Sequence, residues 1–183
     1  MASLTDISLV AQVAISGNRR AFDELVRRYQ SPVRRFFLHQ TLGDSQLSDD
    51  LAQDTFLKAY TNIASFRGLA SFQTWIMRIA YNVFYDYTRR NRPTEDIDVI
   101  PQRSSSDNSS LKMDLYAALA LLKPDERTCI TLQLIDGYDI AGIAKIQGRE
   151  FNWQVQSHFL LYEVLFILQD LLHSDGEDVC AGV

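Results

Sequence analysis

Within SFQTWIMRIAYNVFYDYTRR, residues 71–90, the apolar side chains Phe72, Trp75, Ile76, Ile79, Ala80, Val83 and Tyr87 recur at intervals of three, one, three, one, three and four. A helix of 3.6 residues per turn gathers that spacing onto one stripe, whereas a strand would scatter it over both faces. Such a stripe has to be buried against another element, and every neighbouring stretch carries the same three-and-four period, with no β-branched run alternating in twos. The spacing predicts helices over 6–16, 19–40, 48–63, 71–90, 111–122, 125–136, 139–147 and 152–172, and no strand. Start signals agree: Ser48 before Asp49 and Asp50, Ser71 before the long helix, and Pro124 followed by Asp125 and Glu126. A hydroxyl there accepts from an unpaired backbone N–H, and acids in the first turn complement the helix dipole.

The helical period fails only between Arg92 and Leu111, where PTEDIDVIPQRSSSDNSS holds two prolines and five serines. That composition reads as a linker. The expected fold is therefore all-α, with a helical domain over 1–92, a flexible linker over 93–110, a second helical domain over 111–174 and a tail over 175–183. Charge divides along the same line: residues 1–92 carry net +4, 93–110 net −3 and 111–183 net −6. Only the first half is suited to phosphate.

Several functions are disfavoured by residue usage. Cys129 and Cys180 are far apart, with no CxxC, and His39, His158 and His173 have no ligand spacing, so neither a disulfide framework nor a metal site is expected. Adjacent acids such as Asp23/Glu24 and Asp49/Asp50 point apart on a helix, and no phosphate-cradling glycine loop occurs. No enzyme and no cofactor is expected. MASLTDISLV lacks the charged and apolar regions of an export signal, and no apolar run approaches the ~20 residues of a membrane span, so a cytoplasmic protein without membrane insertion is expected.

Opposite its stripe, the 71–90 helix is expected to present Arg78, Tyr81, Asn82, Tyr85, Asp86 and Arg89, ending in Arg89, Arg90 and Arg92. Rings that stack on bases and cations that pair with phosphates would share one face. A solvated helix with cations complementing its C-terminal dipole has the same pattern, and the two readings stand together at this level.

The order of motifs separates them. AFDELVRRYQSPVRRFF, then DDLAQDTFLKAY, then SFRGLASFQTWIMRIAYNVFYDYTRR resembles conserved region 2 of the extracytoplasmic-function (ECF) group of bacterial RNA polymerase sigma factors, in one register over about residues 7–92. The resemblance implies that Asp50, Gln53, Asp54 and Lys58 dock on the clamp helices of the polymerase β′ subunit, with Leu51, Ala52, Phe56, Ala59, Tyr60 and Ile63 facing the core. It implies a base-capturing loop over Asn62, Ala64, Ser65, Phe66, Arg67 and Gly68, the glycine permitting a sharp turn. Arg78, Tyr81, Asn82, Tyr85, Arg89 and Arg90 would then contact promoter DNA, and the chemistry would belong to the polymerase.

After the linker the family has a helix-turn-helix domain, region 4. Ala118, Leu119, Leu122, Arg127, Leu132, Gly137, Ile143, Ala144 and Gly148 fit its first part, but Gly142 stands where Glu is usual, and Gln154 to Glu163 depart from the family pattern. No Lys or Arg follows Arg149, and 11 of the 18 residues from Val155 to Leu172 are large and apolar. Major-groove reading ordinarily needs cations, and a helix apolar nearly all round is buried. Phe159, Leu161, Leu165 and Leu168 are therefore candidates for a protein interface, occupied by the first domain, a second copy or an anti-sigma factor. The expected function is that of an initiation factor that binds core RNA polymerase and recognises and melts promoter DNA. The rival is a sigma-derived regulator whose second domain binds a protein in place of the −35 element.

Overall fold

The computed structural model describes residues 4–91 and 110–148. These are arranged as helices α1 (Leu4–Ser16), α2 (Arg19–Gln40), α3 (Ser45–Thr61), α4 (Phe72–Arg90), α5 (Ser110–Ala120), α6 (Pro124–Ile130) and α7 (Ile140–Gln147). A 3₁₀ turn spans Ile63–Ser65, and α6 runs on through a wider π turn at Thr131–Ile135. No strand occurs among the described residues, and none of their helices is long and apolar enough to cross a membrane. The expected linker up to residue 109, the 152–172 helix with Phe159, Leu161, Leu165 and Leu168, and the 175–183 tail lie outside the described residues.

Capping explains most boundaries. Asn18 accepts from Arg20 N and Ala21 N, Ser71 from Thr74 N at 3.0 Å, and Asp139 from Gly142 N at 2.9 Å. At the start of α6, Pro124 occupies the first turn and the Glu126 carboxylate accepts from Lys123 N. The expected cap at Ser48 is corrected. Asp44 caps α3 by accepting from Leu47 N, and Ser48 lies inside the helix, fully buried, its hydroxyl donating to Asp44 O and paired with that of Thr41. Aspartate and serine serve equally well as caps, so the signal chose the wrong one of two neighbours. At α7, a Cβ on Gly142 would lie 2.8 Å from the capping Asp139 carboxylate, so the absent side chain leaves room for that cap.

The core is centred on α2 and α4. Leu25, Val33, Phe36 and Phe37 meet Phe72, Ile76, Met77 and Ala80, with Leu51 and Ala59 of α3 closing one side. Each large side chain contributes roughly 1.5–3 kcal/mol by leaving water. The same cluster continues without a break into Cys129, Leu132, Ile143 and Ile146, so α6 packs on α2 and α7 on α4. Leu119, Leu122 and Ile130 form a smaller cluster that takes in Leu42, in the α2–α3 turn, and Tyr116. Gly43 in that turn has φ +92°, and an added Cβ would meet the Tyr116 ring at 2.9 Å.

Candidate nucleic-acid and docking surfaces

The loop after α3 is built on two anchors. Asn62 closes α3 by donating from its backbone and side-chain nitrogens to Lys58 O, at 3.1 and 2.8 Å. Ile63 is buried below, and the Phe66 ring meets Phe72 at 5.5 Å and Trp75 at 5.6 Å in edge-on geometry. Phe66 thus pins the loop to the start of α4. Arg67 stays exposed next to Gly68, whose φ of +71° is unfavourable for residues with a Cβ; an added Cβ would meet nothing within 4 Å.

On α4 the expected stripe is inside: Phe72, Ile76, Ala80 and Val83 are buried, with Trp75, Ile79 and Tyr87 partly so. Arg78, Asn82, Tyr85, Arg89 and Arg90 are exposed, while Asp86 lies 3.7 Å from Lys58 and 3.6 Å from Arg89. The expectation that Tyr81 shares this exposed face is overturned. It is 4% exposed, its hydroxyl donates to Asp125 Oδ1 at 3.2 Å, and its ring stacks on Tyr85 with centroids 6.3 Å apart. Met77, Tyr81 and Phe84 form a second buried side, which α4 needs because α7 packs against it. Arg78 lies at the edge of that contact: a Cβ on Gly148 would come 2.9 Å from its guanidinium.

The outer side of α3 exposes Asp50, Gln53 and Asp54, with Lys58 partly covered and turned to Asp86. Leu51, Ala59 and Ile63 face the core as expected. Tyr60 does not: it is 39% exposed and meets Phe22 of α2 edge-on at 4.9 Å. Ala52 is partly buried, and with Phe56 it lines an open groove of about 940 Å³ between α2 and α3. Phe22, Val26, Leu38 and Leu57 supply much of its apolar wall, and the Arg34–Asp49 ion pair stands on its rim. Sequence reasoning missed this groove. Ala52, Phe56 and Tyr60 were expected in the core, and Leu57 carried no expectation, so nothing in the α3 pattern pointed to an open groove.

A second feature was also missed. Gln40 is 2% exposed; its Nε2 donates to Thr131 Oγ1 at 3.0 Å, and Thr128 Oγ1 donates to its Oε1 at 3.1 Å. The Arg127 guanidinium, whose pKa burial pulls below its ordinary value, donates to three carbonyls, those of Leu119, Gln40 and Leu122, at 2.8, 2.8 and 3.1 Å. Arg35 pairs with Asp136 at 2.7 Å. Among the described residues no group of three or more His, Cys, Asp or Glu is placed to hold a metal.

Comparison with known proteins finds likenesses that take in both halves. Residues 25–94 match the Sigma-70 region 2 family. An ECF RNA polymerase sigma-E factor of Haemophilus influenzae is 33% identical over 161 residues, covering 78% of this chain and 84% of the relative. The protein of that name from Escherichia coli is 33% identical over 162 residues, covering 78% and 83%. Among solved structures, CnrH in complex with the cytosolic domain of CnrY superposes with a TM-score of 0.67 at 26% identity, covering 93% of this chain and 99% of that one. The sigma factor RpoE of Bartonella quintana, in complex with the anti-sigma factor NepR, shares the fold at a TM-score of 0.63 and 23% identity, covering 84% and 98%.

Proposed function

Since the chain belongs to the ECF group of sigma factors and is thus a transcription initiation factor, we propose that it divides that work between the α3 surface and the α4 face. Asp50, Gln53 and Asp54, beside the α2–α3 groove, dock on basic residues of the polymerase β′ clamp helices. Exposed carboxylates at that spacing steer a basic partner by long-range attraction, and the apolar groove supplies area to bury. Lys58 acts within the chain, through Asp86.

Promoter DNA is taken by the loop and α4. The observation that carries this reading is that Arg67, on its pinned loop, and Asn82, Tyr85 and Arg89, on the helix that follows, are all exposed. Cations and donors hold the backbone, while an exposed ring stacks on an unpaired base. A melted base costs least to extract, which makes the loop selective for the opened strand. Asn62 and Phe66 shape that loop, and Arg90 extends the cationic edge.

The protein needs no cofactor, leaves catalysis to the polymerase and works in the cytoplasm. Both similar structures are complexes, one of them with an anti-sigma factor, and an anti-sigma factor is a fitting partner for this chain as well. The test is run-off transcription with purified core polymerase. Initiation that depends on the protein and falls with Arg67→Ala and Tyr85→Ala supports the assignment, and initiation indifferent to both refutes it.

A further inference from the structure

Leu69 is the most exposed large apolar side chain among the described residues, at 89%. A leucine alone on a surface is ordinary, but this one stands on a loop fixed at both ends and is not used by the fold. The apolar anchor of the loop is Phe66, edge-on to Phe72 at 5.5 Å and to Trp75 at 5.6 Å. On the far side Ser71 starts α4 by accepting from Thr74 N at 3.0 Å. Between those points the chain turns at Gly68, with φ +71°, and Leu69 follows the turn out into solvent. Charge indicates what such a side chain would enter. No Asp or Glu occurs from Thr55 to Tyr85, whereas Lys58, Arg67 and Arg78 do, and both arginines are exposed. Asp86, the first acid beyond, is taken up by Lys58 and Arg89. An apolar tip set among cations suits an anion with an apolar interior, which is what stacked bases behind phosphates present.

We propose that Leu69 is a wedge: its side chain enters the base stack beside the position that a captured base vacates, and keeps the opened step from closing. The inference rests on the DNA role proposed for the loop. Opening a duplex loses stacking at the step where the strands part, and a leucine inserted there restores apolar contact with the uncovered base face. Arg67, two positions earlier, pairs with phosphate while Leu69 fills the stack. Phe66 is not available for this, because its ring is committed to Phe72 and Trp75. An aliphatic side chain has no donor or acceptor with which to read a base edge, so the wedge promotes opening and leaves base choice to its neighbours. It matters on a duplex, whose strands compete to re-pair, and becomes dispensable once they cannot.

The test uses the full chain assembled with purified core polymerase on a promoter fragment selected by run-off transcription. The fragment is supplied as a duplex and as a copy held open by mismatches over the initiation region. Leu69→Ser removes apolar volume from an exposed position, and Leu69→Met restores it in unbranched form. Permanganate reactivity of unpaired thymines reads the rate of opening on the duplex, and fluorescence anisotropy reads affinity for the labelled, pre-opened copy. With Leu69→Ser the duplex rate is expected to fall about fivefold or more, with affinity for the open copy within about twofold of the parent, and Leu69→Met recovers the rate. Equal losses on both templates make Leu69 a general binding contact, and a duplex rate untouched by Leu69→Ser removes it from melting; either result overturns the wedge. So does weaker binding of Leu69→Ser to core polymerase alone, which assigns the side chain to a protein partner. If Arg67→Ala and Tyr85→Ala leave both templates unaffected, the DNA reading itself fails and the wedge falls with it. If those two weaken both templates while Leu69→Ser weakens neither, only the wedge is lost.

Discussion

Arg127 Nη1 donates to the carbonyl oxygen of Gln40 at 2.8 Å, so a guanidinium from the second half of the chain satisfies the last carbonyl of α2 in the first. The final turn of any helix leaves carbonyls without partners and gathers partial negative charge, which a cation neutralises best when water is excluded. Arg127 is 8% exposed and also holds the carbonyls of Leu119 and Leu122, which tie the end of α5 and the turn after it to the same point.

Replacing Arg127 with Met keeps much of the aliphatic volume and removes all three donations. Buried acceptors left unpaired cost about 1–3 kcal/mol each before relaxation, so the full chain is expected to lose about 3 kcal/mol in urea unfolding. Arg127→Lys recovers only part, since one ammonium cannot span three carbonyls in the geometry of a planar fork. Equal stability of the Met variant and the parent would show that water replaces the guanidinium.

Charge reversal at Asp50 and Asp54 tests the α3 surface. Both side chains are exposed, so Asp50→Lys with Asp54→Lys leaves helicity and unfolding midpoint within small limits. Affinity for core polymerase is expected to fall about tenfold at physiological salt, and the difference shrinks as salt rises because exposed charges are screened within roughly 8 Å. A salt-independent loss would point to a packing defect, and unaltered affinity in a pull-down would remove this surface from docking.

What could be read in advance, and what could not, follows from the range of each interaction. The helices and the α4 stripe were legible because a 3.6-residue period is written within one segment, and the Ser71 cap because it acts three residues away. Tyr81 was misplaced because its burial comes from Asp125, 44 positions on, and nothing in the α4 pattern encodes that neighbour. Tyr60 faces a groove for the same reason: its partner is Phe22 of α2. The seam at Gln40 was invisible, since a glutamine, two threonines and an arginine look like surface residues until the fold brings 40 beside 127, 128 and 131. The α4 candidates came from the face opposite the stripe, and the loop candidates and the DNA role itself from motif order; of the candidates Asn62, Arg67, Arg78, Asn82, Tyr85, Arg89 and Arg90 are exposed.

Arg67 and Tyr85 provide the cleanest test of promoter melting. Neither is buried, so alanine at each should leave the melting temperature within a few degrees of the parent. Stacking contributes about 1–3 kcal/mol per base, so open-complex formation is expected to fall roughly 5- to 150-fold for Tyr85→Ala, read by permanganate reactivity of unpaired thymines. Asn62→Ala behaves differently, with a small loss of stability as well, because its side chain also closes α3 through Lys58 O. A large drop in stability with normal opening for Arg67→Ala or Tyr85→Ala would make those residues structural.

His39 gives the fold a dependence on acidity whose sign can be worked out. The ring is 8% exposed, and burial holds its pKa below the ordinary 6.5; across the seam Asp136 acts in the opposite direction, and Arg35 on its own helix adds to the effect of burial. Tyr116 of α5 is the remaining ring close by, 6.5 Å away. Above pH 6.5 the imidazole is neutral in both folded and unfolded chains and costs nothing. Below it the unfolded chain takes up the proton first, so stability falls with pH until the folded-state pKa is passed, at no more than about 1.4 kcal/mol per pH unit from this one group. Urea midpoints between pH 5 and 8 should therefore decline on the acid side, and His39→Phe should flatten that limb relative to the parent. An identical acid limb in both proteins would assign the decline to groups other than His39.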